Sequence, residues 1–370
     1  MNLGQLLILK VNELRWDSSL ERFLRRLRPG GVLIDAPLTG GAGAGREFLT
    51  KVACAVPTAP FLALREEGGV MDPLGAFLPA LPSPRAVAGK GLAAVRHLGE
   101  LVGAAFEFLG FNTDLAPLLD LAPPDAGKST CEPVECRSPT LRHVPTVEGT
   151  ATRAFSPDPQ QVANCGAAFL DGLERHEVRA CGKHFPGLAG AQSSTVNRPP
   201  LVSKSMAQLW CEDLVPYRAL LPRLPFVLVS TASYKAYDFD FLQCAGLSPK
   251  VVEGLLRIKL SYDGIAIAYG LEMKAVRGTL TLEEAAVQAL GAGCDMLILE
   301  GTAAAERVPA ALRTARESGK LPSPRVEQAL ERIQLAKQGL RPPVGSRPNR
   351  SLDRIAKEFI DFSSDFAGSG

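Results

Sequence analysis

The chain reads as an α/β protein, and within that class as a single-domain (β/α)8 TIM-like barrel. Short apolar runs and amphipathic segments alternate along most of its 370 residues. That is the pattern of βα units joined by right-handed crossovers into a parallel sheet. Seven or eight such units can be counted, which suits a closed barrel better than an open doubly wound sheet. No Gly-x-Gly-x-x-Gly follows a strand, so a dinucleotide site is not indicated.

Taken in order, the spacing predicts strands at 31–36, 61–64, 112–117, 179–185, 226–231, 264–268 and 296–299. The interleaved helices fall at 46–55, 89–109, 160–175, 205–221, 281–290, 303–317 and 323–339. Val95, Leu98, Val102 and Phe106 share one face of the second helix. Pro216 predicts a kink in the fourth. Ser248 and Pro249 open a further helix as N-cap and first helical residue, and Thr281 caps another with Glu283 and Glu284 in its first turn. Gly40, Gly41, Gly43 and Gly45 punctuate a stretch without the Lys-Ser/Thr of a phosphate loop, and it reads as a flexible turn.

Residues 1–340 make the barrel, with a Pro-rich, polar loop insertion at 122–149 and a C-terminal tail at 341–370 in which 351–362 suits a short helix. A loop of that length inside a compact domain is commonly functional or disordered. Its Cys131, Cys136 and His143 match no zinc spacing, and neither metal nor cofactor is expected.

The apolar fraction of 46% and charged fraction of 22% are those of a globular protein, and a net charge of +2 gives no field for nucleic acid. No run approaches a membrane span, and the N-terminus lacks the features of a signal peptide. The eight cysteines are scattered, several in apolar segments, and read as reduced core thiols of a cytoplasmic protein.

Chemistry concentrates at Arg179–Gly190, a strand running into a Pro-Gly turn with Lys183 and His184 near its end. A charged pair there is poorly explained by packing, whereas strand ends of α/β barrels carry ligand sites. The stretch resembles the "KHFPGHG" signature of glycoside hydrolase family 3, in its β-N-acetylhexosaminidase branch. "RPGGVLI" at 28–34, "LGFNTDLAPLLDL" at 109–121, "TRAFSPDPQQV" at 152–162 and "LSPKVVEGLLRIKLSYDGIAIAYGLEMKAV" at 247–276 resemble further family segments, collinearly. The resemblance implies a (β/α)8-like barrel and retaining hydrolysis of amino-sugar glycosides.

The catalytic pattern departs from the family's. The nucleophile position, first Asp of "SDD", is Tyr269. The acid/base His and its orienting Asp, in "GHGD", are Leu188 and Gly190. In the sugar-contacting "DQEGGR" the Asp is Arg65 and the Arg is Val70. A "DSH" becomes Ser194, Thr195 and Val196, and a His on the next strand becomes Thr231. Arg153, Lys183 and His184 keep the family's ligand-binding identities; Asp114, Asp120 and Asp263 also match but suit structural roles equally well.

Each position has a plain alternative. Arg153 suits a loop salt bridge to Asp158. Arg65, Glu66 and Glu67 suit a solvated charge cluster or an ion pair across the old pocket. Tyr269 is either a space-filler or, with Glu66 or Glu67 to activate it, a substitute nucleophile. The expectation is a pseudoenzyme that has lost hydrolysis and acts as a sugar-binding, sensing or scaffold protein. Its ligand would be an amino sugar or cell-wall fragment, and the 122–149 loop is the surface offered to a protein partner. The alternative is an active β-N-acetylhexosaminidase with relocated catalytic residues.

Overall fold

Apolar runs bounded by turn residues become the barrel staves, because strands buried on both faces need apolar side chains on both. The structure, a computed structural model, describes residues 2–35, 38, 40–123, 150–192, 198–340 and 350–366. Strands β1 to β8 are, in order, Leu7–Val11, Gly31–Ile34, Phe61–Leu64, Thr113–Asp114, Arg179–Phe185, Phe226–Val229, Ile265–Ala268 and Met296–Glu300. Neighbours in sequence are neighbours in the sheet, and all pairings are parallel. β8 closes on β1 with Leu7 opposite Leu297. The expected (β/α)8 barrel is therefore observed.

The N-terminal end of the barrel is plugged. Phe61 on β3 and Phe226 on β6 meet edge to face at 4.8 Å, and the Lys337 ammonium sits 5.2 Å from the Phe61 ring centre. The mouth at the opposite end is left for the loops. Beyond β5, Ala191–Gln192 pairs antiparallel with Leu201–Val202, which runs parallel to Ser233–Tyr234 beyond β6. This small sheet pins the two loops together.

The helices Leu92–Leu109 and Pro159–Glu174 flank β4 and β5 and pack through glycine. A Cβ on Gly172 would lie 2.4 Å from the Arg96 carbonyl oxygen and 2.5 Å from the Glu100 nitrogen. Both are backbone atoms that cannot rotate aside. Gly172→Ala is expected to cost about 1–3 kcal/mol by overpacking, read as a lower urea midpoint; an unchanged midpoint would contradict this contact.

Three local expectations are corrected. The glycine-rich stretch is not a flexible turn but the start of the helix Gly41–Ala55. Gly45 is buried in it beside Leu38 and Leu109, with room for a methyl group at ordinary contact distance, 3.7 and 3.8 Å. The helix expected at 205–221 breaks between Met206–Cys211 and Leu214–Leu220 rather than kinking at Pro216. Pro216 falls in the first turn of the second piece, where its missing N–H leaves no helical bond unmade. The strand expected at 112–117 is shorter, Thr113–Asp114.

Near the C-terminus, Ser351 caps the helix Leu352–Ser364, which buries Ile355, Phe359 and Phe362. Phe362 meets the His97 ring of Leu92–Leu109 at 5.2 Å. Of the 122–149 loop, only Ala122 and Pro123 lie within the described residues; Cys131, Cys136 and His143 lie outside them, as do Ser194, Thr195 and Val196. Among the described residues no helix is long and apolar enough to cross a membrane, and no group of three His, Cys, Asp or Glu side chains could hold a metal. Cys165, Cys181, Cys244 and Cys294 are free and buried, while Cys54 and Cys211 are free and exposed.

Candidate functional site at the barrel mouth

Every strand delivers a polar side chain to the C-terminal mouth. Lys10 comes from β1, Asp35 from just after β2, and Arg65, Glu66 and Glu67 from just after β3. Asp114 ends β4, Lys183 and His184 lie on β5, Thr231 follows β6, Tyr269 follows β7, and Glu300 ends β8. Burying so many charges requires pairing, and the pairing forms three groups.

In the first, Lys10 Nζ lies 2.9 Å from Asp35 Oδ2 and 3.0 Å from Glu300 Oε1, and Arg65 also donates to Asp35. In the second, Arg153 grips Glu67 in bidentate fashion, Nε and Nη2 each at 2.8 Å. Lys183 Nζ sits 2.6 Å from the same carboxylate and also donates to the Leu115 carbonyl. In the third, His184 Nδ1 is 2.7 Å from Asp120 Oδ2, while the Leu188 amide donates to Asp120 Oδ1 at 2.9 Å. A carboxylate only accepts, which assigns the imidazole proton to Nδ1 and leaves Nε2 as an acceptor.

The electrostatics follow from burial. Burial pushes the Glu67 carboxyl up, but the Lys183 and Arg153 charges overcome it and hold the group well below the usual carboxylate range. Burial drives Glu66 well above that range, and Asp114 likewise. Burial lowers Lys183 against the pull of Glu67, and lowers His184 against that of Asp120.

The sequence expectations meet this geometry unevenly. Arg153 pairs with Glu67, not Asp158, because its short helix Thr150–Arg153 turns it into the barrel. Arg65, Glu66 and Glu67 are not a solvated cluster: Arg65 pairs with Asp35, Glu67 bridges Arg153 and Lys183, and Glu66 accepts from the Gly68 and Leu74 amides. Lys183, expected to touch ligand, is completely buried with its ammonium committed to Glu67 and Leu115. Val70 points to solvent, 70% exposed, and takes no part in the mouth. Leu188 is packed into the core and Gly190 is an exposed turn residue at φ 75°. Asp263 is exposed at the far end of the barrel, lining a cleft of about 940 Å³ near Arg179 and Arg218.

Tyr269 presents part of its ring to the mouth, 6.0 Å from the His184 ring. Its hydroxyl is buried beside Thr231 and makes no hydrogen bond of good geometry among the described residues. Burial raises its pKa well above the ordinary value of 10.0. Neither Glu66 nor Glu67 is paired with it: the two are committed to the contacts above.

What remains open at the mouth is a cavity of about 80 Å³, with Lys10, Arg65, Arg153, His184, Tyr269 and Glu300 as its polar wall. Lys10, Asp35 and Glu300 were absent from the sequence reading. Their available signal was a charged residue at the end of an apolar run, as in "LILK" and "MLILE".

The sequence model described as Glycosyl hydrolase family 3 N terminal domain matches residues 141–336. A protein named Beta-hexosaminidase from Pseudomonas aeruginosa is 28% identical over 302 residues, covering 80% of this chain and 83% of its own length. Another of that name from Idiomarina loihiensis is 25% identical over 259 residues, 69% of this chain and 71% of its own. Among solved structures, M tuberculosis LpqI superposes with a TM-score of 0.76 at 27% identity, over 92% of this chain and 94% of that one. A glycoside hydrolase family 3 β-N-acetylglucosaminidase from Paenibacillus sp. shares the fold, with a TM-score of 0.84 at 23% identity over 98% of this chain and 67% of that one. With the barrel, the mouth and a family match over more than half its length, the chain belongs to glycoside hydrolase family 3.

Proposed function

We propose that this protein is a family 3 barrel that no longer hydrolyses glycosides and serves instead in binding, sensing or scaffolding, with Arg153 and His184 facing the ligand. The observation that supports this most is the supply of carboxylates. Retaining hydrolysis needs a carboxylate nucleophile and an acid/base, and the positions where the family resemblance puts its Asp nucleophile and its His acid/base are Tyr269 and Leu188. Glu300 is the single carboxylate in the wall of the mouth cavity among the described residues, and it is held by Lys10. A phenol at Tyr269 without a carboxylate partner is a poor nucleophile at neutral pH. The buried free thiols suit a reducing compartment, and the proposal places the protein in the cytoplasm.

The second reading is a working β-N-acetylhexosaminidase with relocated groups. The likeness to proteins named Beta-hexosaminidase favours it, and Glu300 or Tyr269 would then carry the chemistry. The two readings separate on hydrolysis of an aryl N-acetyl-β-glucosaminide by wild type, Tyr269→Phe and Glu300→Gln. The expected result is no turnover above buffer for any of the three. Turnover by wild type that disappears in either variant would establish the hydrolase.

A further inference from the structure

We propose that the loop after Ser233–Tyr234, with the apolar groove beside it, is a self-complementary surface through which two copies of this chain pair about a two-fold axis. The inference does not depend on whether the mouth hydrolyses glycosides.

The placement of exposed apolar side chains is the first argument. Phe239 and Phe241 are 77% and 78% exposed, more than any other large apolar side chain among the described residues, and Leu242 follows at 47%. Every other phenylalanine of the chain is buried or half-buried. Single exposed apolar side chains are ordinary on a protein surface, whereas three within four residues make a patch of the kind that marks an interaction site.

The second is that the loop is held in place. At one end the Asp238 amide donates to the Tyr234 carbonyl at 3.0 Å. Gln243 Nε2 donates to Asp238 Oδ1 at 3.3 Å, and Gln243 Oε1 accepts from Gln288 Nε2 at 2.9 Å. At the other end the Ala245 amide donates to the Ala232 carbonyl at 2.8 Å. The exposed residues are therefore displayed from a closed frame. A surface ordered before binding loses less entropy when a partner covers it.

The third is the groove. Phe241 and Leu242 form one lip of a cavity of about 460 Å³, whose apolar wall includes Leu247, Val276 and Leu280. That is ample for an aromatic side chain, since pockets for organic ligands run to about 300–1,000 Å³. The charged residues of the wall are Arg198 and Arg277, both cations without a carboxylate partner among the described residues. Asp240 stands between the two exposed phenylalanines, is itself exposed, and has no cation partner among the described residues.

The composition of the patch says what covers it. It carries an aromatic lip and a groove able to take one, a free acid and two free cations. A two-fold axis sets this surface against itself, so each feature meets its complement twice. Phe241 of each copy enters the groove of the other, and Asp240 faces the Arg198 and Arg277 side of that groove. A lipid surface would cover the phenylalanines but would carry the Asp240 charge into apolar or anionic surroundings, at a cost in free energy. Stable interfaces bury about 800 Å² per partner, so a patch led by three apolar side chains makes a weak, concentration-dependent dimer.

The test is sedimentation equilibrium of the full chain over a range of micromolar concentrations. The mass is expected to rise from one copy to two with concentration and to stop there, because a two-fold contact closes on itself. Phe241→Ser should weaken association about thirtyfold or more, as truncating an interface anchor does. Its urea midpoint should match that of wild-type monomer, because the side chain is exposed there. Asp240→Arg, which sets cations against cations, should weaken association about tenfold or more. A monomer at every concentration would overturn the proposal, as would growth beyond two copies or a dimer whose affinity is unchanged in either variant. A monomer that instead co-sediments with phosphatidylcholine–phosphatidylglycerol vesicles, and loses this in Phe241→Ser, would give the patch to a lipid surface and overturn it too.

Discussion

Replacing Glu67 by glutamine is expected to cost about 3–5 kcal/mol of folding stability, because it strands buried cations without their shared carboxylate. Arg153 reaches that carboxylate twice at 2.8 Å and Lys183 once at 2.6 Å, and Lys183 has no exposure to water. Glutamine keeps the size of the side chain and one acceptor oxygen, so the loss isolates the charge. Urea denaturation of both proteins at pH 7 gives the difference. A loss below about 1 kcal/mol, the range of a surface ion pair, would show that Glu67 is not what balances the two cations.

The same substitution has a pH signature. Lys183 and Arg153 hold folded Glu67 well below its ordinary 4.5, against the upward push of burial. Above about 4.5 the group is ionised folded or unfolded, and its contribution is complete. As pH falls below that value the unfolded chain takes up a proton that the folded chain refuses, and the contribution is lost. Glu66 and Asp114, raised by burial, act in the opposite direction, as does Asp213, which burial pushes up to about 6. Glu66 and Asp213 are common to both proteins and leave the difference intact, whereas Asp114 is raised in part by the Glu67 charge and shifts down in the variant. The stability gap between wild type and Glu67→Gln should therefore be full at pH 7 and narrow below about pH 4.5. A gap unchanged at pH 3 would mean that Glu67 keeps an ordinary pKa in the folded protein.

How much of this was legible in the sequence depends on the range of the interaction. Strands such as "FVLV" and "IAIA" declare themselves locally, because a stave buried on both faces must be apolar throughout, and the capping box of Thr281 with Glu284 is likewise a local signal. The Lys183-His184 pair pointed to the mouth because its position at a strand end could be read. The hub of that mouth could not: Glu67 and Arg153 stand 86 residues apart, and only closure of the barrel brings them together. Lys183 illustrates the cost of that gap. Its identity suggested a ligand contact, but the three-dimensional position of Glu67 turns it into a buried counter-ion. Of the helix Gly41–Ala55, the part at 46–55 was legible and the glycine-rich start at 41–45 was not. Glycine argues against helix on propensity.

At the other end of the barrel, Asp295→Asn is expected to cost about 3–5 kcal/mol as well, by the same physics in a different place. Asp295 precedes β8 and has no exposure to water. Its Oδ1 accepts from Arg325 at 2.7 Å and Arg332 at 3.2 Å, both on the helix Ser323–Lys337. Its Oδ2 accepts from the Ala266 amide of β7 at 2.9 Å and from Arg257. Arg257 lies in the π-type helix Lys250–Lys259 and also binds the Tyr262 and Gly264 carbonyls, at 2.7 and 2.6 Å. One carboxylate thus ties β7, β8 and two helices together. An asparagine leaves three guanidiniums without a counter-charge and turns one accepting atom into a donor facing other donors. The urea midpoint of the variant against that of wild type measures the loss. A stability loss under about 1 kcal/mol would remove Asp295 from the fold's main supports.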